Sequence, residues 1–109
     1  MNLLTLEQMF RIRDNIIART QNTNFHSAMC SYMYERYPHI WKYAEIVAKT
    51  QVELKFDREC RQWKIYHKQG LFTPTSFDKK PCKTLLTLKV LWQIAKEVSR
   101  GNQYFLTVH

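Results

Sequence analysis

Val52-Glu53-Leu54-Lys55-Phe56-Asp57 and Trp63-Lys64-Ile65-Tyr66-His67-Lys68 are the two runs whose reading decides the fold. In the first, Val52, Leu54 and Phe56 alternate with Glu53, Lys55 and Asp57; in the second, Trp63, Ile65 and His67 alternate with Lys64, Tyr66 and Lys68. A period of two puts successive side chains on opposite faces of a strand. Two such runs across the short polar connection Arg58-Glu59-Cys60-Arg61 therefore predict a β-hairpin with one buried face. No Asn-Gly or Asp-Gly marks the turn, so its type stays open.

Upstream the period is 3.6. Thr5-Leu6-Glu7-Gln8 has capping-box spacing, and Leu6, Met9, Phe10, Ile16 and Ile17 follow it on one face, predicting a helix to about Thr20. Asn24 is a suitable N-cap for a second helix with the stripe Phe25, Ala28, Met29, Tyr32 and Met33. Pro38 suits the first turn of a third helix, whose apolar face is Ile40, Trp41, Ala44, Val47 and Ala48.

Downstream of the hairpin, Gly70 to Pro81 reads as irregular, with Pro74 and Pro81 excluding regular structure. Lys83 to Arg100 reads as a long helix stopped by Gly101. Leu85, Leu86, Leu88, Val90, Leu91, Trp92, Ile94, Ala95 and Val98 cover more than half its circumference, which makes it the most buried element. Tyr104-Phe105-Leu106-Thr107-Val108 reads as a short C-terminal strand. The expected order is three helices, a hairpin, a long helix and a strand: a compact α+β domain spanning residues 1–109. Three helices followed by a hairpin is also similar to the winged-helix order, with the hairpin as wing; the likeness is of architecture and not of any sequence motif.

Composition narrows the function classes. The 109 residues contain 2 Gly, Gly70 and Gly101, so the clustered glycines that let phosphate approach a backbone are missing. That excludes P-loop and Rossmann chemistry. The N-terminal stretch runs into Glu7, Arg11, Arg13 and Asp14 without an apolar core, so no targeting segment is expected, and the most apolar stretch, near Leu85 to Val98, is interrupted by charges well short of a membrane span. Cys30, Cys60 and Cys82 are odd in number and widely spaced, which predicts an intracellular, cytoplasmic protein with reduced thiols.

The net charge of +8 is unevenly placed. Residues 1–54 hold six bases against five acids, whereas residues 55–109 hold eleven against four. Lys64, Tyr66 and Lys68 share the outward face of one strand, with Lys55 on the same face of its neighbour. Arg58 and Arg61 fall in the hairpin turn, and Lys79, Lys80 and Lys83 cluster before the last helix. On that helix Lys89, Gln93, Lys96 and Arg100 form a polar stripe. Cations at such spacing can follow a nucleic-acid backbone and release its counterions; the plain alternative is a solvated face that keeps a small domain soluble.

Two further signals are aromatic crowding and an odd arginine. Tyr32 and Trp41 fall on core stripes, leaving Tyr34, Tyr37 and Tyr43 as surface candidates for an interface. Arg13 falls within the first helix's apolar stripe, where it meets Glu35 or Glu45, faces a partner subunit, or snorkels to water on its aliphatic stem.

Chemistry finds little purchase. His26 and Cys30 stand four apart and could face one ion with Cys60, His67 or Cys82, but zinc ligands come in close pairs and there is only one, so no metal or other cofactor is expected. Glu53-Leu54-Lys55 resembles the acid-x-Lys element of metal-dependent nucleases, yet the acid those enzymes place on a preceding strand is missing. Nothing sets a base beside a nucleophile. The expectation is a non-enzymatic nucleic-acid-binding regulator, DNA or RNA, contacting phosphates through Lys55, Arg58, Arg61, Lys64, Lys68, Lys89, Lys96 and Arg100, with Tyr66 stacking nearby. The competing expectation is a protein-interaction module that binds an acidic protein surface or forms a homodimer through Tyr34, Tyr37 and Tyr43.

Overall fold

The computed structural model describes residues 2–20, 25–70 and 75–102. Helix α1 (Leu6–Thr20) opens on the reciprocal cap that its sequence encodes: the Thr5 N–H donates to Gln8 Oε1 at 2.8 Å, and the Gln8 N–H to Thr5 Oγ1 at 3.2 Å. Helix α2 (Phe25–Arg36) buries Met29, Cys30 and Met33, and α3 (Pro38–Thr50), with Pro38 in its first turn, buries Ile40, Trp41, Ala44 and Val47. The expected N-cap Asn24 and the C-terminal strand at 104–108 lie outside the described residues.

One residue, Gln51, separates α3 from strand β1 (Val52–Asp57), which pairs antiparallel with β2 (Gln62–His67). The register sets Val52 opposite His67, Leu54 opposite Ile65 and Phe56 opposite Trp63, so the alternation predicted for both runs places them on a common face. The turn resolves as an Asx turn: Asp57 Oδ1 accepts from the N–H groups of Glu59 (2.9 Å) and Cys60 (3.3 Å). Arg61 closes it at φ 54°, in the left-handed region that an L-residue adopts at a cost.

The stretch from Gly70 to Pro81 departs from expectation. Thr75–Phe77 is a third strand, β3, paired antiparallel to β2 with Phe77 opposite Trp63 and Thr75 opposite Ile65. It ends before Pro81, so that ring does not have to supply a ladder N–H, and Pro74 lies outside the described residues. The sheet order is β1-β2-β3, and the third strand precedes the last helix.

Helix α4 (Lys83–Ser99) packs on α1, α2 and α3 and contributes Leu88, Val90, Leu91, Ile94 and Ala95 to the core, as its wide apolar face predicts. It ends in a Schellman motif, in which the Asn102 N–H reaches Glu97 O (2.8 Å), the Gly101 N–H reaches Val98 O (3.0 Å), and Gly101 sits at φ 78°. Its last turn also caps α1, because the Leu6 N–H donates to Ser99 Oγ at 2.8 Å. The described residues thus form an α+β fold in which four helices share a core with one side of an antiparallel sheet.

The α1 stripe is rotated from the one expected. Met9, Ile12 and Ile16 are buried, whereas Phe10 and Ile17 stand 39% and 42% exposed on the adjacent stripe, together with Arg13. Arg13 meets neither Glu35 nor Glu45. Its guanidinium lies 4.7 Å from the centroid of the Phe10 ring and reaches the exposed Asp14 at 3.2 Å, so the stem covers apolar surface while the charge stays wet.

Candidate functional site

The inner face of the sheet changes character along its length. At the base Val52 and His67 are buried, with Ile65 buried beside them. His67 Nδ1 accepts from the Gln69 N–H (3.2 Å), which leaves Nε2–H to meet Gln51 Oε1 at 2.9 Å. The Lys68 N–H adds a bond to Gln51 O at 2.8 Å, so the end of β2 is tied to the end of α3. Burial holds the His67 pKa below its ordinary value, keeping the ring neutral in this role.

At the tip the same face is uncovered. Phe56 is 48% exposed and packs on half-buried Trp63 with ring centroids 5.4 Å apart. Phe77 stands across from Trp63 on the other side, and Lys80 Nζ lies 5.4 Å from the Trp63 ring centroid. Arg58 and Arg61 occupy the adjoining turn, and both are exposed. Among the described residues Arg58, Arg61, Lys79 and Lys80 have no carboxylate partner. The tip therefore presents an aromatic surface edged by uncompensated cations, the arrangement in which flat π-systems and anionic groups are both accommodated.

The outer face carries less charge than the sequence suggests. Lys55 and Lys64 are direct cross-strand partners, as expected, but each has an acid: Lys55 Nζ meets Glu53 at 3.2 Å and Lys64 Nζ meets Asp57 at 2.9 Å. The bond to Lys64 and those from the turn N–H groups hold the Asp57 carboxyl below its ordinary range. The bond from Asp57 in turn raises the Lys64 ammonium. Tyr66 is half-buried opposite Glu53, and Lys68 is exposed beyond the strand end. Lys55 takes its acid from the neighbouring same-face position of its own strand, and Lys64 takes Asp57 diagonally across the hairpin, pairings that composition counts do not reveal.

The α4 candidates lie on another side of the molecule. Gln93, on the stripe with Lys89, Lys96 and Arg100, donates to Thr75 Oγ1 at 3.0 Å, and Thr75 belongs to the inner face of the sheet. The stripe thus approaches the sheet from the side opposite Lys55 and Lys64. Lys89 and Lys96 are half-buried, and Arg100 pairs with buried Glu97 at 3.5 Å. The nine positions proposed from sequence divide between two sides; the turn arginines remain, joined by Phe56, Trp63, Phe77 and Lys80. Alternation set Phe56 and Trp63 on one face but expected that face to be buried, and Phe56 is 48% exposed because the core does not extend beneath it; Phe77 fell in the stretch read as irregular. The clustering of Phe56 and Trp63 with Arg58 and Arg61 was the available signal.

Of the three tyrosines, Tyr34 is 63% exposed, while Tyr37 and Tyr43 are half-buried against the core, where burial raises the Tyr43 hydroxyl pKa. Tyr34 edges a groove of about 900 Å³ between α2, α3 and the start of α4, with Trp41 and Cys30 in its lining and exposed Ile46 and Lys42 on the α3 side.

Among the described residues no three His, Cys, Asp or Glu side chains converge on a metal-sized site, and no helix is long and apolar enough to cross a membrane. Glu53 and Lys55, the acid and base of the nuclease-like tripeptide, are spent on each other. Compared with known proteins, the chain matches no family model, no curated protein and no solved structure, so the winged-helix likeness rests on element order alone.

Proposed function

We propose that this protein is a small, basic, non-enzymatic nucleic-acid-binding regulator that works from a reducing, intracellular compartment and engages its ligand at the hairpin tip. One observation carries the reading: the solvent-facing Phe56–Trp63 pair is bordered by Arg58, Arg61 and Lys80, cations with no carboxylate partner among the described residues. Aromatic faces stack on bases irrespective of sequence, and guanidinium groups on the same edge follow the phosphates. Lys79 extends the positive edge, whereas Lys68 lies at the base end of the hairpin and outside that edge, and Lys55 and Lys64, already paired, serve the hairpin more than the ligand.

The test is fluorescence anisotropy with labelled single-stranded and duplex oligonucleotides over a salt series. Three or four phosphate contacts predict a log–log slope of about −2 to −4. The double charge reversal R58E/R61E is expected to weaken binding by at least about tenfold and to flatten the slope. Binding that ignores salt, or that survives this reversal, defeats the proposal.

A second reading draws on Tyr34, which stands beside Ile46, itself 49% exposed, on the helical groove. There the protein is an interaction module docking on another protein surface. Tyr34→Ala would then dissolve a complex that R58E/R61E leaves intact, the reverse of the first outcome.

A further inference from the structure

Two of the three thiols lie on either side of a single peptide group. The Leu85 N–H donates to Cys82 Sγ at 3.5 Å, and Cys30 Sγ donates to the Thr84 carbonyl oxygen at 3.7 Å. Those two backbone groups belong to the same amide, in the first turn of α4. The sulfurs come from distant parts of the sequence, one from the middle of α2 and one from the N-cap of α4, and converge only through the fold. Their accessibility differs: Cys82 is exposed, whereas Cys30 is buried but lines the α2–α3–α4 groove. Burial, with the neighbouring Cys82 adding to it, pushes the Cys30 thiol up to about 11. Cys60 sits apart from both on the hairpin turn.

We propose that Cys82 and Cys30 form a reversible disulfide site, in which Cys82 reacts first with a low-molecular-weight disulfide and Cys30 resolves the adduct. In the first step the Cys82 thiolate attacks one sulfur of the reagent RSSR, forming a Cys82–SR mixed disulfide and expelling RS⁻. In the second, Cys30 loses its proton to solvent and its thiolate attacks Cys82 Sγ, expelling the second RS⁻. The two cysteines together lose two electrons and two protons, and RSSR becomes two RSH. The order follows from access and acidity, since a buried, weakly acidic thiol is slow to meet a reagent from solution, yet only one peptide group separates it from its partner. Closure requires Cys82 to leave the Leu85 N–H. The exposed residues 82–84 allow that, and the product ties α2 to the entrance of α4.

The experiment uses the full chain carrying Cys60→Ser, incubated natively with oxidised glutathione, and then intact-mass analysis and peptide mapping without reduction. The expected product is monomeric, lighter by two hydrogen atoms, and carries a Cys30–Cys82 cross-link that dithiothreitol removes. Its formation accelerates with pH, approaching tenfold per unit while Cys30 stays mostly protonated. The same mapping on the unsubstituted chain guards against a folding defect in the variant. Cys82→Ser abolishes the cross-link and the glutathione uptake that precedes it, leaving buried Cys30 unmodified under native conditions. A stable glutathione adduct on Cys82 with Cys30 still free, or a cross-link that appears only in denaturant, overturns the proposal.

Discussion

The base and the tip of the hairpin are written in the same alternating code and end in opposite environments. Val52, Ile65 and His67 are buried against helices, while Phe56, two steps along the same face, is 48% exposed beside Trp63. Periodicity reports which side of a strand a residue occupies; depth depends on what lies below, and that is set by elements far away in sequence. The base is an anchoring surface. The tip, freed from the core, is where apolar area and unpartnered cations become available together.

The sharpest way to break this comparison is to truncate each end. Ile65→Ala at the base leaves a cavity and should cost about 2–4 kcal/mol in urea unfolding. Phe56→Ala, the smallest effect in this series, should cost no more than about 1 kcal/mol while weakening oligonucleotide binding. Equal losses at the two sites would mean that the tip is as much core as the base.

Acid should separate the ends next. Burial lowers the His67 pKa from its ordinary 6.5, so the unfolded chain takes up that proton first. Its contribution is complete above pH 6.5 and is lost as pH falls through the folded value. Asp57 contributes fully above its ordinary 3.8 and loses that contribution only as pH falls through its lower folded value. Amide exchange of Lys68, bonded to Gln51, should therefore accelerate at a higher pH than that of Cys60, bonded to Asp57. His67→Gln should erase the first step and leave the second.

A gentler change should stabilise the tip alone. Arg61 holds φ 54°, and Arg61→Gly should relieve that strain for a net gain of up to about 1 kcal/mol, the looser unfolded chain offsetting part of it. The gain should appear in thermal melts and leave His67 titration unchanged.

Much of the scaffold was legible because local rules and tertiary packing agree. The Thr5–Gln8 cap, Pro38 at the start of α3, the pairing faces of β1 and β2 and the Gly101 stop all require only neighbours in sequence. Other features depended on distant partners. In α1 the stripe through Phe10 and Ile17 competes with that through Ile12, and only α4 and α2 decide which turns inward. β3 is three residues long, too short for a periodic signal, and exists because β2 offers it an edge. The lysines at 55 and 64 counted as free charge until the fold paired the first with Glu53 on its own strand face and the second with Asp57 across the hairpin. Tyr37 and Tyr43 lie off the expected stripes yet reach the core with their rings, as amphipathic side chains do.

The connection between α3 and β1 has a mechanical consequence. A single residue bridges them, and Gln51 is itself fastened through its carbonyl to Lys68 and through its side chain to His67. With no slack loop at this joint, the hairpin behaves as a cantilever roughly 20 Å long, six residues at about 3.3 Å each. Force applied at its free end is delivered as torque to the C-terminal turn of α3.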